Sequence, residues 1–516
     1  MNMLVFMTDQ LSFRSLRAYG GSKSFPAIDG FFENGATLEQ VYSPCPLCLP
    51  ARASFWTSRL PHRTGVLSNG RLFENAEVTA DTPSLGSLFS AAGWECVHFG
   101  KEHDGGALHG FRRMEPGLTR VRPQPGYPVN QDTFGDRFTA EQACTYFDER
   151  ARSGHQSEPR PLLAVVDLVN PHNICGWVGE MARHVLGEEA AVVPSPSEEP
   201  TPGFPPTIET AMLPELPPNH YDADFTSRPR SVQYQCCAHN RLAQTQGWGE
   251  REFRLYLDAY NHYIHLVDRE IARIMERATA CLDMSQTFVV FTSDHGDAIT
   301  AHSGATKHTT FYEETTRVPF AVTGPGIAPG ARVGGVASLL DLVPTLLDLA
   351  DITAGADAEA ERARSALSLM DGQSQAGPLT SGRRLARAAG EGSRYVVSEW
   401  HTEWGFTIEP GRMITDGRYK LMRYAEGDEE EFYDLAADPY ETRNLLGKEA
   451  SDSPSGLTAP GNAESLGRLR EELKRHLRNS GDPFEDLEPS IDPRWRSHEP
   501  GYHKHRGIAA PQADRP

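Results

Sequence analysis

Phe288-Val289-Val290-Phe291-Thr292 runs directly into Ser293-Asp294-His295-Gly296. Five consecutive β-branched and aromatic residues predict a strand covered on both faces, as in the middle of a parallel sheet. Leu162 to Val169, bounded by Pro161 and Pro171, is a second such run, and Leu4 to Met7, followed by Thr8-Asp9-Gln10, a third. In open α/β sheets ligands gather at the carboxyl ends of strands. Asp9, Gln10, Asp294 and His295 fall at such ends. Two carboxylates, an amide oxygen and an imidazole suit a divalent cation, Ca2+ first, with Mg2+ or Mn2+ as alternatives. Taken singly, an Asp after a strand is as often a helix N-cap, so these pairs need support from the rest of the chain.

Between these runs the pattern turns helical. A helix is expected over Ala27 to Asn34, and another from Thr82-Pro83-Ser84-Leu85, with Pro in its first turn, to Ala92-Gly93. Val41-Tyr42 and Glu95 to Phe99 read as further strands. The expected class is α/β: a large mixed, mostly parallel sheet flanked by helices, plus a smaller C-terminal α+β subdomain with an antiparallel sheet. That subdomain is read from the short spaced runs Tyr395 to Ser398, Arg412 to Thr415 and Tyr419 to Tyr424, covered by an amphipathic helix over Glu464 to Leu477. Residues 354–392, rich in Ala, Gly, Ser and Arg, read as a loop or linker. The domains are then 1–385, with an insertion at about 173–250, 386–480, and an extended tail at 481–516.

The 516 residues carry a net charge of −20. So acidic a surface repels phosphate backbones, which excludes nucleic acid as a partner class. No apolar stretch approaches the roughly 18 residues that span a bilayer, and Met1 to Met7 lacks a basic leader region, so the expectation is a cytoplasmic protein without membrane contact. Self-association into a homo-oligomer stays open. Eight scattered cysteines in a long chain fit reduced thiols better than a disulfide framework.

The most informative stretch is Cys45-Pro46-Leu47-Cys48-Leu49-Pro50-Ala51-Arg52-Ala53-Ser54-Phe55-Trp56-Thr57. Its C-x-x-C spacing lacks the second pair a zinc site needs and the surroundings of a redox motif. A buried structural thiol is the ordinary reading of a cysteine. However, C-x-P-x-R from Cys48 to Arg52 resembles the signature of the sulfatase family. Pro61-His62-Arg63-Thr64-Gly65, Gly100-Lys101-Glu102-His103, Asn170-Pro171-His172, Ser293-Asp294-His295-Gly296, Lys307 and Tyr312 to Pro319 are similar to its later elements. So are Asp341-Leu342-Val343-Pro344-Thr345 and Tyr433 to Leu445. The resemblance covers about residues 2–447, in order.

It implies that a maturation enzyme oxidises Cys48 to a formylglycine aldehyde. The aldehyde hydrate attacks sulfur, holds sulfate while the alcohol departs, and releases it as the aldehyde re-forms, a step cysteine itself could not complete. It further implies that Asp9, Asp294, His295 and Gln10 hold the metal and that Arg52 orients the nucleophile. Lys101 and His103 would contact nucleophile and sulfate. His172 and Lys307 would contact sulfate and the leaving oxygen, one of them as general acid. Asn69 is a further candidate sulfate contact.

The chain departs from the common family pattern at Gln10 and His295, where it is similar to the branch holding choline sulfatases and phosphonate monoester hydrolases. Ala51 stands where Ser is usual, Ser58 where Gly is usual, and Glu102 where an aromatic is common, which would change the pocket's polarity. The expected substrate is a small sulfated molecule, a sugar above all. Trp and His groups in Glu399-Trp400-His401-Thr402-Glu403-Trp404 suit apolar stacking and hydroxyl recognition, with His401 the candidate substrate contact. The alternative is a phosphonate monoester or phosphodiester hydrolase using the same site.

Overall fold

The computed structural model describes residues 1–69, 75–114, 126, 135–153, 160–186, 203–222, 228–229, 232, 245, 247–307, 310–381, 394–401, 410–425, 430–447, 457 and 461–486. The expected tail beyond 486, parts of the 173–250 insertion, and the boundary at 385/386 lie outside these residues.

A nine-stranded sheet forms the centre. Its strands are β1 (Asn2–Asp9), β2 (Ala36–Tyr42), β3 (Glu95–Gly100), β4 (Arg112–Arg113), β5 (Leu162–Pro171), β6 (Thr287–Ser293), β7 (Arg317–Val318), β8 (Phe320–Thr323) and β9 (Arg332–Ser338). The order is β4-β3-β5-β1-β6-β8-β2-β7, with β9 beside β2. β4, β3, β5, β1 and β6 are mutually parallel, whereas β8 runs antiparallel to β6 and to β2. This is the expected mixed sheet. It sets the carboxyl ends of β3, β5, β1 and β6 side by side.

Side chains of a strand alternate between faces. In β1, Met3, Val5 and Met7 therefore enter one core while Leu4 and Phe6 enter the other. The second core is closed by the helix Glu250–Cys281, which buries Tyr256, Tyr260, Tyr263, Ile264, Val267, Ile271 and Ile274. Three- and four-residue spacing makes that one stripe of the helix.

The smaller sheet is antiparallel, with β10 (Val396–Trp400), β11 (Gly411–Thr415), β12 (Tyr419–Tyr424) and β13 (Glu430–Asp434) in sequential order. Ile414, Leu421 and Phe432 pack under Leu466, Leu469, Leu473 and Leu477 of the helix Asn462–Ser480. The opposite face, with Trp400, Met413, Met422 and Tyr424, joins the large core. The predicted covering helix is thus present, and the small sheet lies between it and the main body.

Two expectations are corrected. Residues 354–392 contain the helices Ala358–Leu367 and Ala376–Ser381. The first is capped by Asp357, whose carboxylate accepts from Ala360 N, and it buries Ala360, Ala363 and Ala366. Alanines at helical spacing are an apolar face too small to read as one. The helix after Thr82 begins at Leu85, with Ser84 as its N-cap and Pro83 outside it.

Candidate active site

The row of strand ends assembles the chemistry. β1 delivers Asp9 and Gln10, β6 delivers Asp294 and His295, β3 delivers Lys101, and β5 delivers Asp167 and, after a turn, His172. Gly100 makes the β3 exit workable. It takes φ +93°, and a Cβ there would lie 2.0 Å from the Asp167 carbonyl oxygen. The carbonyl is thereby free to accept from Lys101 N at 3.0 Å. The turn after β5 is held by Asp136, whose carboxylate accepts from Val169 N at 2.6 Å and Asn170 N at 3.1 Å.

Cys48 opens the helix Cys48–Thr57, with Leu47 as N-cap. Asn69 accepts from Leu49 N at 3.1 Å and so caps this helix beside Cys48. The loop before it is pinned by Ser43, whose hydroxyl donates to the carbonyls of Cys45 and Asp294. Ser58, where glycine is usual, ends the helix in the left-handed region at φ 55°. Its hydroxyl donates to Leu340 O at 2.6 Å and accepts from Gly372 N at 3.2 Å, which holds a conformation that disfavours a Cβ.

Cys48 is 1% exposed, yet its neighbours are polar. Lys307 Nζ donates to its Sγ at 2.7 Å, His295 Nε2 lies 3.1 Å away, and Asp9 Oδ1 lies 3.8 Å away. Burial raises the Cys48 thiol pKa despite Lys307. The residue is therefore a neutral thiol, a poor nucleophile as it stands. Cys45, three residues earlier, packs in the large core with Tyr42, Leu47 and Trp400. It is a core thiol, the ordinary reading of a buried cysteine.

Asp9, Cys48, Asp294 and His295 are all buried and present ligand atoms within 4.8 Å of one another. His295 Nδ1 donates to Gly296 O at 2.8 Å, which leaves the Nε2 lone pair facing the cluster. Burial, with Lys307 nearby, pushes its pKa down to about 4, so the ring is neutral. Burial alone would raise the Asp294 carboxyl; the His295 ring and the Arg52 and Lys101 charges overcome it and hold the group ionised. Lys101 donates to Asp9 Oδ2. Gln10 takes φ 69°, its backbone N–H donates to Asp294 Oδ1 at 3.0 Å, and its amide nitrogen donates to Asp297 at 2.7 Å.

His103 is solvent-exposed, with protein around it. Desolvation, then Lys101, Arg52 and Lys307, press its pKa well below the usual value. His172 is held neutral in the same way by burial, Lys307 and Lys101. Its Nδ1 has no hydrogen-bond partner among the described residues. Neutral imidazoles beside two lysines form a cationic pocket, which an acidic protein needs if it is to accept an anion.

Ten of the twelve candidates from the sequence thus converge: Asp9, Gln10, Cys48, Arg52, Lys101, His103, His172, Asp294, His295 and Lys307. Asn69 acts on the helix that carries Cys48. His401 lies in a different buried cluster, with its Nε2 3.1 Å from Glu399 Oε2 and 3.3 Å from Arg412 Nη2. Residues 402–404 of that segment lie outside the described residues. Glu102 turns to Arg113 at 3.2 Å on the surface. Sequence reasoning missed Asp167 and Asp297. An acid inside the apolar run Leu162 to Val169 was the available signal for Asp167. Asp297, fixed by Tyr256 Oη at 2.7 Å, carried none beyond its closeness to Asp294.

A family model described as Sulfatase matches residues 1–352, and one described as N-sulphoglucosamine sulphohydrolase, C-terminal, matches residues 304–455. A Delta 4,5-hexuronate-2-O-sulfatase of Bacteroides thetaiotaomicron is 35% identical over 514 residues, covering 99% of this chain and 95% of its own. A choline-sulfatase of Rhizobium meliloti is 26% identical over 86% of this chain and 82% of its own. Among solved structures, one described as a 2-O GAG sulfatase superposes with a TM-score of 0.77 at 36% identity, covering 97% of each chain.

Proposed function

The chain belongs to the sulfatase family, and from that membership we propose that it removes the 2-O-sulfate of a uronic acid residue in a sulfated carbohydrate, using a formylglycine made from Cys48. The observation that carries this reading is the 35% identity to the hexuronate-2-O-sulfatase along 99% of the chain.

The donor set fits a divalent cation. Two buried carboxylates converge with an imidazole whose lone pair is already aimed at them, and hard oxygens with one nitrogen suit Ca2+, Mg2+ or Mn2+. Asp9, Asp294 and His295 would hold the ion, with Gln10 the fourth ligand. When bound, the ion supplies positive charge beside the nucleophile and the sulfate oxygens. The formylglycine supplies an oxygen nucleophile in place of a neutral thiol. Because Cys48 is almost fully buried, the maturation enzyme must reach it before the chain closes around it.

The remaining work falls to this chain's own side chains. Lys307 reaches the Cys48 position and keeps its proton there, since the neighbouring groups outweigh the effect of its burial. Lys101 donates to Asp9 of the same cluster. The two lysines bracket the position a sulfate group would take and offset charge on its oxygens. The His172 ring feels Lys307, Lys101, His295 and His103, and an arriving anion among these groups would favour its protonation and hence proton delivery to the departing sugar oxygen.

The test is turnover by protein whose Cys48 conversion has been verified by peptide mass spectrometry. An unsaturated disaccharide sulfated at O2 of the uronate is compared with its 6-O-sulfated isomer and with an aryl phosphonate monoester. The expected result is release of sulfate from the 2-O-sulfated compound at a kcat/KM well above the others. Preference for the phosphonate, or Cys48 remaining a thiol in active protein, overturns the proposal.

A further inference from the structure

Arg52 is fully buried and its guanidinium meets three carboxylates. Nε donates to Asp294 Oδ2 at 2.9 Å, Nη2 to Asp9 Oδ2 at 3.4 Å, and Nη1 to Asp167 Oδ2 at 2.6 Å. Asp9 and Asp294 belong to the candidate metal cluster, and Asp167 does not. Asp167 comes from inside β5, opposite Met7 of β1 and Gly100 of β3. It is itself fully buried, and its second oxygen has no hydrogen-bond partner among the described residues. His98 Nε2 lies 3.6 Å from Oδ2, beyond hydrogen-bond range.

This arrangement divides the oxygens of the two ligand carboxylates. Arg52 takes Oδ2 from each. Asp9 Oδ1 is thereby left facing Cys48 at 3.8 Å, and Asp294 Oδ1, which also accepts from Gln10 N at 3.0 Å and His295 N at 2.8 Å, faces the His295 ring at 3.8 Å. The shortest of the three Arg52 contacts is the one to Asp167, which anchors the guanidinium through Nη1 to a carboxylate outside the cluster. A buried cation placed against two metal ligands competes with the metal for them. A third carboxylate on that cation moderates the competition, and its own negative charge favours a nearby ion.

We propose that Asp167 is a positioning residue of the sulfatase site: it holds and neutralises Arg52 so that Asp9 and Asp294 each keep one oxygen for a divalent cation. This rests on the metal-assisted reading above. Both consequences of losing the Asp167 charge act in the same direction, toward weaker cation binding.

The experiment compares wild type, Asp167→Asn and Asp167→Glu, matched for Cys48 conversion. Each is stripped of metal and titrated with Ca2+ against a calcium-sensitive indicator, and kcat and KM are measured separately. The expected result for Asp167→Asn is a loss of Ca2+ affinity of about tenfold or more, as is typical when a partner of a metal ligand is removed. Its kcat should fall and its KM stay nearly constant. Asp167→Glu, which restores the charge, should recover affinity to within about threefold of wild type. Asp167→Ser, which leaves room for a water on Nη1, takes the place of the Asn variant if that chain does not fold. A variant that melts at lower temperature in chelator but binds Ca2+ and turns over like wild type shows a packing role alone and overturns the proposal. Wild type that binds no cation overturns the metal reading as well, so the two failures are told apart.

Discussion

Lys307 donates to Cys48 Sγ at 2.7 Å, and the two side chains are 5% and 1% exposed. Burial alone would lower the Lys307 pKa; Cys48 first, then Cys175 and Asp294, raise it on balance. The placement gains meaning if the group at position 48 becomes an oxygen nucleophile and an anion sits beside it. Lys307→Met keeps the stem and removes the charge. It should lower kcat by about 100- to 1,000-fold, the usual range for a group that stabilises developing charge, with the fold intact by circular dichroism. A loss of less than tenfold would remove Lys307 from the catalytic group.

Chelation should abolish turnover, and added Ca2+ or Mn2+ should restore it. An ion that binds only the folded chain also stabilises it, by about 2.7 kcal/mol at a free concentration a hundred times its dissociation constant. The melting temperature should therefore rise with added ion in wild type. Asp294→Asn, which removes one ligand charge from a buried cluster, should show no such rise. An equal rise in both proteins would place the ion elsewhere.

The strands that build this site were legible because they are covered on both faces: β1, β5 and β6 are apolar runs with acids, an amide or an imidazole at their ends. β12 was read with its observed bounds. β13 was not, since Glu430 to Asp434 is largely polar and acts as a strand through contacts the sequence cannot display. Glu431, for example, accepts from the hydroxyls of Tyr312, Tyr424 and Tyr433. The helix Glu250–Cys281 was overlooked behind the Pro-rich segment preceding it. His401 was read as a substrate contact from its Trp-rich neighbours; Arg412, eleven residues on, and His62, far upstream, form the cluster around it. Such long-range pairings carry no local signal. Asp167 was hidden for the opposite reason, since it interrupts a run whose strand character was the dominant feature.

Lys420 joins two carboxylates of the late signature elements. It is fully buried and lies 2.7 Å from Glu313 and 2.8 Å from Glu441. Burial pushes both carboxyls up. Lys420 and Arg317 pull Glu313 below its usual range, whereas Glu441, crowded by Glu313 and Glu314, stays raised. One cation thus serves two carboxyls, of which Glu441 is the more readily protonated. Lys420→Met leaves the ionised Glu313 with less compensation and should cost about 3–5 kcal/mol in urea unfolding. Glu441→Gln keeps a neutral group able to accept from Glu313 N, as Glu441 Oε2 now does at 2.6 Å, and should cost far less. Similar losses in the two variants would contradict this division of charge.

The small sheet is tied to the segment following the Cys48 helix through His62 and Glu399. His62 Nδ1 lies 2.6 Å from Glu399 Oε1, its backbone N–H donates to Oε2 at 3.0 Å, and its Nε2 reaches Ser480 O at 3.2 Å. Both ring nitrogens therefore face acceptors, which calls for an imidazolium. Asp482, His401, Arg412 and His476 complete the surroundings. Burial lowers the His62 pKa, but the hydrogen bond and charge of Glu399 outweigh it, so the net shift is upward. A histidine raised in the folded state contributes stability that is full below its unfolded value of about 6.5 and fades as pH climbs through the folded value. Glu399 is shifted the other way, so its contribution is lost only in stronger acid, as pH falls through its lowered folded value. His401 and His476, whose pKa values burial lowers, change stability only as pH falls toward and below about 6.5, and wild type and a His62 variant share that change, so the gap between the two reports His62. His62→Asn should melt below wild type at pH 6, and the gap should narrow toward pH 9. A gap that stays constant across this range would show that His62 acts through packing and not through its charge.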